Sequence, residues 1–168
     1  MKVAAILFST VTLVAAAAAA QELVPAPEGA KLVLEAMGDG VQVYTCEAQG
    51  QGYGWVLKGP DAKLLDKQGH EIGTHFAGPT WKATDGSSVV GEVVAHADAP
   101  GGKSIPWLLL KAKSHDAPGL MANVAFIRRS ITRNGLPAPA GCDVAHQGAE
   151  ARSPYSAIYQ FYSAPFAK

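Results

Sequence analysis

Apolar residues in this chain recur in short alternating runs, and no window of about a dozen residues carries a helical stripe. VQVYTCE (41–47), SVVGEVVA (88–95), WLLLKA (107–112) and VAFIRRSI (124–131) are rich in Val, Ile, Leu and aromatics, with Gly, Pro, Asp and Asn at their borders. Residues two apart share one face of a strand, so runs of this kind build half-buried strands. About nine of them fit, at spacings near ten residues. Asp39-Gly40, between LVLEAM and VQVYTCE, and Asp85-Gly86, between TWKAT and SVVGEVV, read as tight hairpin turns, because primed turns need positive φ. Gly59-Pro60-Asp61 and Lys67-Gln68-Gly69 mark two more turns. With 18 glycines and 11 prolines alongside, the expected fold is all-β, a single antiparallel β-sandwich or barrel domain. Segment 134–154 lacks a periodic pattern and is expected to form a long loop before the last strand. That strand, YSAIYQFY (155–162), is expected to close the sheet.

The first 20 residues stand apart. Lys2 precedes an uncharged apolar stretch that ends in Ala18-Ala19-Ala20 ahead of Gln21, the layout of a cleavable secretory signal. A membrane anchor is the competing reading, but alanine is weakly hydrophobic and no basic cluster follows. The expectation is a signal peptide over 1–20 and a secreted or periplasmic domain over 21–168, with no stable membrane anchor after cleavage. Without Lys2 the chain holds 13 basic and 14 acidic residues, a net charge of −1. That balance carries no nucleic-acid footprint. Cys46 and Cys142 are the two cysteines, and in an oxidising compartment such a pair bridges. The loop it closes would span about 96 residues, for which the chain-entropy model gives about 4–5 kcal/mol.

Several stretches imitate catalytic signatures and fail on spacing. His70-Glu71 followed by His75 resembles a zinc-protease motif, but the histidines stand five apart where a helix needs four. Gly101-Gly102-Lys103-Ser104 resembles a phosphate loop, yet Ala97 stands where its first glycine belongs and Pro106 stops the helix. Gly50, Gly52 and Gly54 have the third glycine one residue too early for a dinucleotide loop. Ser114-His115-Asp116 places triad residue types side by side, where convergence in space is required. The aromatics Trp55, Trp81, Trp107, Tyr155, Tyr159 and Phe161 are expected to be core.

The order of VQVYTCEA, WVLKGPDAKLLD, GTHFAGPTWKATDGSSVVG, IPWLLLKA, TRNGLPAPAGCD and YSAIYQFYS resembles the family catalogued as domain of unknown function 3455, from about Val41 to Ser163. The Gly-Pro-Thr-Trp and Pro-Trp-Leu-Leu-Leu segments carry most of the resemblance. It implies an exported single-domain protein and supplies no reaction. Some members carry a dehydrogenase name, to which the broken glycine pattern at 50–54 gives no support. The family's Ile-Gln-Arg stands here as Ile127-Arg128-Arg129, and its Thr-x-Gly-Gly as Thr132-Arg133-Asn134-Gly135.

In GTHFAGPTWKATDGS (73–87), strand geometry accounts for nearly every residue except His75, Lys82 and Asp85. With Arg129 these are the candidate ligand-binding residues. Strand parity puts Trp81 inward and Lys82 outward. Phe76 is expected inside, and His75 at the surface or lining a groove. The expected function is non-enzymatic: binding a small molecule, a glycan or an envelope protein, with no cofactor and no metal. The alternative is a metal-independent hydrolase built on His75 and Asp85, which would need both groups on one substrate atom.

Overall fold

The computed structural model describes residues 23–165; the signal expected over 1–20 lies outside the described residues. Eight strands form: β1 (Lys31–Gln49), β2 (Gly52–Leu65), β3 (Glu71–Phe76), β4 (Thr80–Ala83), β5 (Ser88–Ala97), β6 (Trp107–Asp116), β7 (Phe126–Asn134) and β8 (Glu150–Ser163). Each pairs antiparallel with the next, and β8 returns to β1 to close a barrel. The only helical turns among the described residues are two short 3-10 segments, Pro100–Gly102 and Val144–His146. The closing seam is long, running from Lys31↔Ser163 to Thr45↔Glu150. Closure leaves the ring without a free sheet edge along that seam.

Asp39-Gly40 is not a turn. It lies inside β1, and LVLEAM and VQVYTCE are one strand, so the barrel has eight strands where about nine were expected. Gly38 and Gly40 point inward: a Cβ on Gly38 would overlap the Tyr159 ring, and one on Gly40 would overlap the backbone at Asp61 and Ala62. The Asp-Gly pair thus serves close packing across the lumen, which a local turn signal does not distinguish. Gly59-Pro60-Asp61 likewise stays within β2, beside a register shift opposite Val43 and Tyr44. Asp85-Gly86 and Lys67-Gln68-Gly69 do turn the chain, with Gly86 and Gly69 at positive φ. The long loop is shorter than expected, since β8 already begins at Glu150.

Register sorts the side chains into two rows. One inward row runs Val89, Trp81, His75, Ala62, Gly40, Tyr155 across five adjacent pairings. Along it the rings of Trp81, His75 and Tyr155 are offset by the small Ala62 and Gly40, which is how a narrow barrel fills its interior. On the outer wall Asp39, Lys63, Thr74, Lys82, Ser88 and Asp116 form a matching polar row. Leu64, Trp81, Val89, Leu110, Ile127 and Phe161 are all essentially inaccessible and form the apolar core. They sit toward the end of the barrel that carries the turns at 66–70 and 84–87 and the loop 117–125.

Candidate functional site

At the opposite end, beneath the loops 98–106 and 135–149, the inner wall turns polar. Alternation along β1 brings Gln42, Tyr44 and Cys46 inward, and along β8 it brings in Tyr155 and Tyr159. Gln42 is 1% exposed, and its Nε2 donor has no acceptor. Trp81, also 1% exposed, leaves its Nε1 donor in the same state. The Tyr44 hydroxyl donates to the Gly135 carbonyl (2.7 Å), and the Tyr155 and Tyr159 hydroxyls lie 3.3 Å apart. Cys46 and Cys142 are at disulfide distance, with sulfurs 2.06 Å apart, so the loop 135–149 is tied to β1 at this end.

Arg128 and Arg129, adjacent in sequence, part on opposite sides of the wall. Arg128 faces out, where its Nε donates to the Val24 carbonyl (2.6 Å) and its Nη1 to Gln160 (2.7 Å). Arg129 faces in, paired in register with Leu108 on one side and Tyr159 on the other. Its Nε donates to the Pro106 carbonyl (3.1 Å), and its positive charge works against burial in lowering the pKa of the neighbouring Tyr159 hydroxyl. A guanidinium has five N–H donors. No carboxylate among the described residues forms an ion pair with this one.

His75 is buried, at 2% exposure, while Phe76 is 42% exposed. The expected parity of this strand is therefore reversed. His75 shares the inward row with Trp81, and the two rings stack at 4.3 Å with their planes 6° apart. A flat cross-strand stack on Trp81 and an edge contact to Tyr159 (5.0 Å) hold the imidazole inside, where its polar atom reaches the Thr80 carbonyl at 2.8 Å. Since a carbonyl only accepts, Nδ1 carries the proton and Nε2 the lone pair. Burial above all drives the His75 pKa down to about 3, and Arg129 pulls the same way against the bond to Thr80. The ring is neutral at physiological pH. Burial also raises Tyr44, Tyr155 and Tyr159, so all three keep their protons.

Lys82 lies on the outer face of β4, exposed to solvent, as parity predicted. Asp85 belongs to the other end of the barrel. Its carboxylate takes the Ser87 amide (2.9 Å), the Ser87 hydroxyl (2.6 Å) and the Leu120 amide (2.7 Å), bonds that lower its pKa. It ties the β4–β5 turn to the loop after β6. His75 and Asp85 share no partner, and the hydrolase pairing is not made. Of the four candidates the structure brings together His75 and Arg129. The sequence reading missed Gln42 and Tyr44 and took Tyr155 and Tyr159 only as core; VQVYTC already carried the signal, since its polar Gln42 shares a face with Tyr44 and Cys46. Tyr155, Tyr159, Trp81 and Phe161 are core as expected, whereas Trp55 and Trp107 are partly exposed. Among the described residues no group of three His, Cys, Asp or Glu is placed to hold a metal.

The fold and this end of the lumen define a small closed antiparallel barrel whose interior is apolar at one end and donor-rich at the other. The family model described as "Protein of unknown function (DUF3455)" matches residues 25–163, and the chain belongs to that family. No curated protein and no solved structure matches it. The segments that carry the family resemblance meet at the polar end: Thr80 accepts from His75, Pro106 accepts from Arg129, and Thr132 donates to the Ile105 carbonyl at 2.6 Å. Asn134, where the family pattern has glycine, takes φ of 55°, a left-handed conformation that asparagine tolerates.

Proposed function

We propose that this is an exported, secreted or periplasmic binding protein without catalytic activity, whose small-molecule ligand docks at the polar end of the barrel lumen. The observation that carries the reading is a pair of buried N–H donors without acceptors among the described residues, Gln42 Nε2 and Trp81 Nε1. The same inner wall carries the Arg129 guanidinium, which forms no ion pair with a described carboxylate. Buried donors left unpaired cost about 1–3 kcal/mol each, and stability alone gives no reason to keep them. A ligand with acceptor atoms satisfies them. Export is supported by the Lys2–Ala20 layout and by the cysteine pair, which belongs to oxidising compartments. The polar row around the outer wall supports a barrel that faces water, because a lipid-facing barrel needs an apolar band there. No helix among the described residues is long and apolar enough to cross a membrane.

Native mass spectrometry of protein exported by its host and purified without denaturation tests this. The expected result is a small-molecule adduct that is lost on unfolding. Bare protein in every preparation, together with no rise in melting temperature across a panel of sugars, amides, carboxylates and phosphates, would overturn the reading.

A further inference from the structure

We propose that the ligand carries a single carboxylate, that Arg129 receives it, and that it enters through a gap in the barrel wall beside β5. This rests on the binding reading above and names its chemistry. The gap follows from strand lengths. β4 has four residues and meets β5 only at Ser88, Val89 and Val90. Beyond them β5 continues to Ala97 with β6 as its sole pairing partner. On this overhang the inward side is open: Val93 pairs with Leu110, which is buried, yet Val93 itself is 51% exposed. His96, exposed, shares its face with Leu108, which in turn shares its face with Arg129. A molecule arriving over Val93 and His96 meets Arg129, which is itself partly exposed.

The charge and geometry of the receiving groups select the ligand. Arg129 is the one permanent cation on the described inner wall, since Arg128 and Lys82 point outward and His75 is neutral. A buried charge is tolerated when it is matched. A monoanion matches one guanidinium, whereas a phosphate dianion would be left half compensated. With Nε committed to Pro106, the remaining N–H groups present a planar fork, which fits the two oxygens of a carboxylate. Further donors lie on the same inner wall: one proton of the Tyr155–Tyr159 hydroxyl pair, the other being shared between them, and the unpaired amide of Gln42. An acceptor-only ligand group suits that company, and a cationic or donor-rich one does not.

Calorimetric titration of the mature protein with benzoate, its neutral isostere benzamide, and inorganic phosphate tests the proposal, with tryptophan fluorescence as a second readout. Benzoate should bind saturably and benzamide at least about tenfold more weakly, the scale of a charge-assisted bond. Arg129→Lys should weaken benzoate by about tenfold and Arg129→Gln by more. Equal binding of benzoate and benzamide, tighter binding of phosphate, or no saturable binding of benzoate would each overturn it. The benzoate–benzamide contrast uses the unmodified chain, so a variant that fails to fold leaves the test intact. If a neutral ligand is found bound in the native protein and Arg129→Gln still holds it, the binding reading stands and the carboxylate assignment falls.

Discussion

At the end of the barrel closed by the β4–β5 turn, the lumen holds Leu64, Val89, Leu110, Ile127 and Phe161, clustered with Trp81. At the other end β1, β7 and β8 turn Gln42, Tyr44, Arg129 and Tyr155 inward. Both halves are filled by the same device, large side chains set against Gly and Ala across the ring. They differ in what the filling satisfies. The apolar half gains from every atom it removes from water, at about 25 cal/mol per Å². In the polar half, donors are removed from water without full replacement of their hydrogen bonds, at a cost to stability. Apolar burial in the first half holds the fold; in the second that role falls to the Cys46–Cys142 pair and not to the inward polar side chains.

That contrast predicts unequal mutational costs. Phe161→Ala, at a fully buried position in edge contact with Trp81, should cost about 3–5 kcal/mol in urea unfolding. A loss below about 1 kcal/mol would mean that the apolar half is not the scaffold. Reduction of Cys46–Cys142 should cost about 2–5 kcal/mol, because the pair closes a loop with a sequence separation of 96. The mature, unreduced protein should show no free thiol on titration. Two reactive thiols there would break the account of how the polar end is covered.

His75 sits where the halves meet, and its effect depends on pH. Its pKa is about 3 in the folded state against an ordinary 6.5. Above pH 6.5 neither state holds the proton, and its contribution does not vary with pH. As pH falls from 6.5 toward 3, the unfolded chain takes up a proton that the folded chain refuses, so stability falls. The slope from this residue approaches about 1.4 kcal/mol per pH unit. His75→Phe, which keeps a ring against Trp81, should remove that part of the acid dependence. Parallel pH profiles for the two proteins would show that His75 titrates normally and is not buried as described.

Much of this was legible in the residues, and the failures have physical causes. Strand existence, the turns at Lys67–Gly69 and Asp85–Gly86 and the closing role of the last strand follow from period and turn chemistry, and the cysteine pair from the oxidising compartment expected for the chain. Asp39-Gly40 misled because a hairpin signal is local, whereas Gly38 and Gly40 are small for the sake of Tyr159 and Ala62 across the ring. His75 misled for a related reason. Hydropathy favours burying Phe76, but register fixes the face, and Gly73 and His75 face Ala83 and Trp81 inside. Arg129 was a candidate by its type and by its match to the family's Ile-Gln-Arg pattern. Its setting became visible only once pairing placed it between Leu108 and Tyr159.

The sharpest test of the division between a fold-holding half and a ligand-holding half is the stability of Arg129→Met. An unmatched charge in a partly buried wall contributes little to folding, and apolar replacements of such groups are often neutral or stabilising. Urea unfolding of the mature protein should therefore show a midpoint equal to or above that of the unmodified chain, with ΔG changed by no more than about 1 kcal/mol. A loss of about 3 kcal/mol or more would show that Arg129, through Pro106 and Tyr159, is part of the scaffold, and the polar end would lose its claim to be a site.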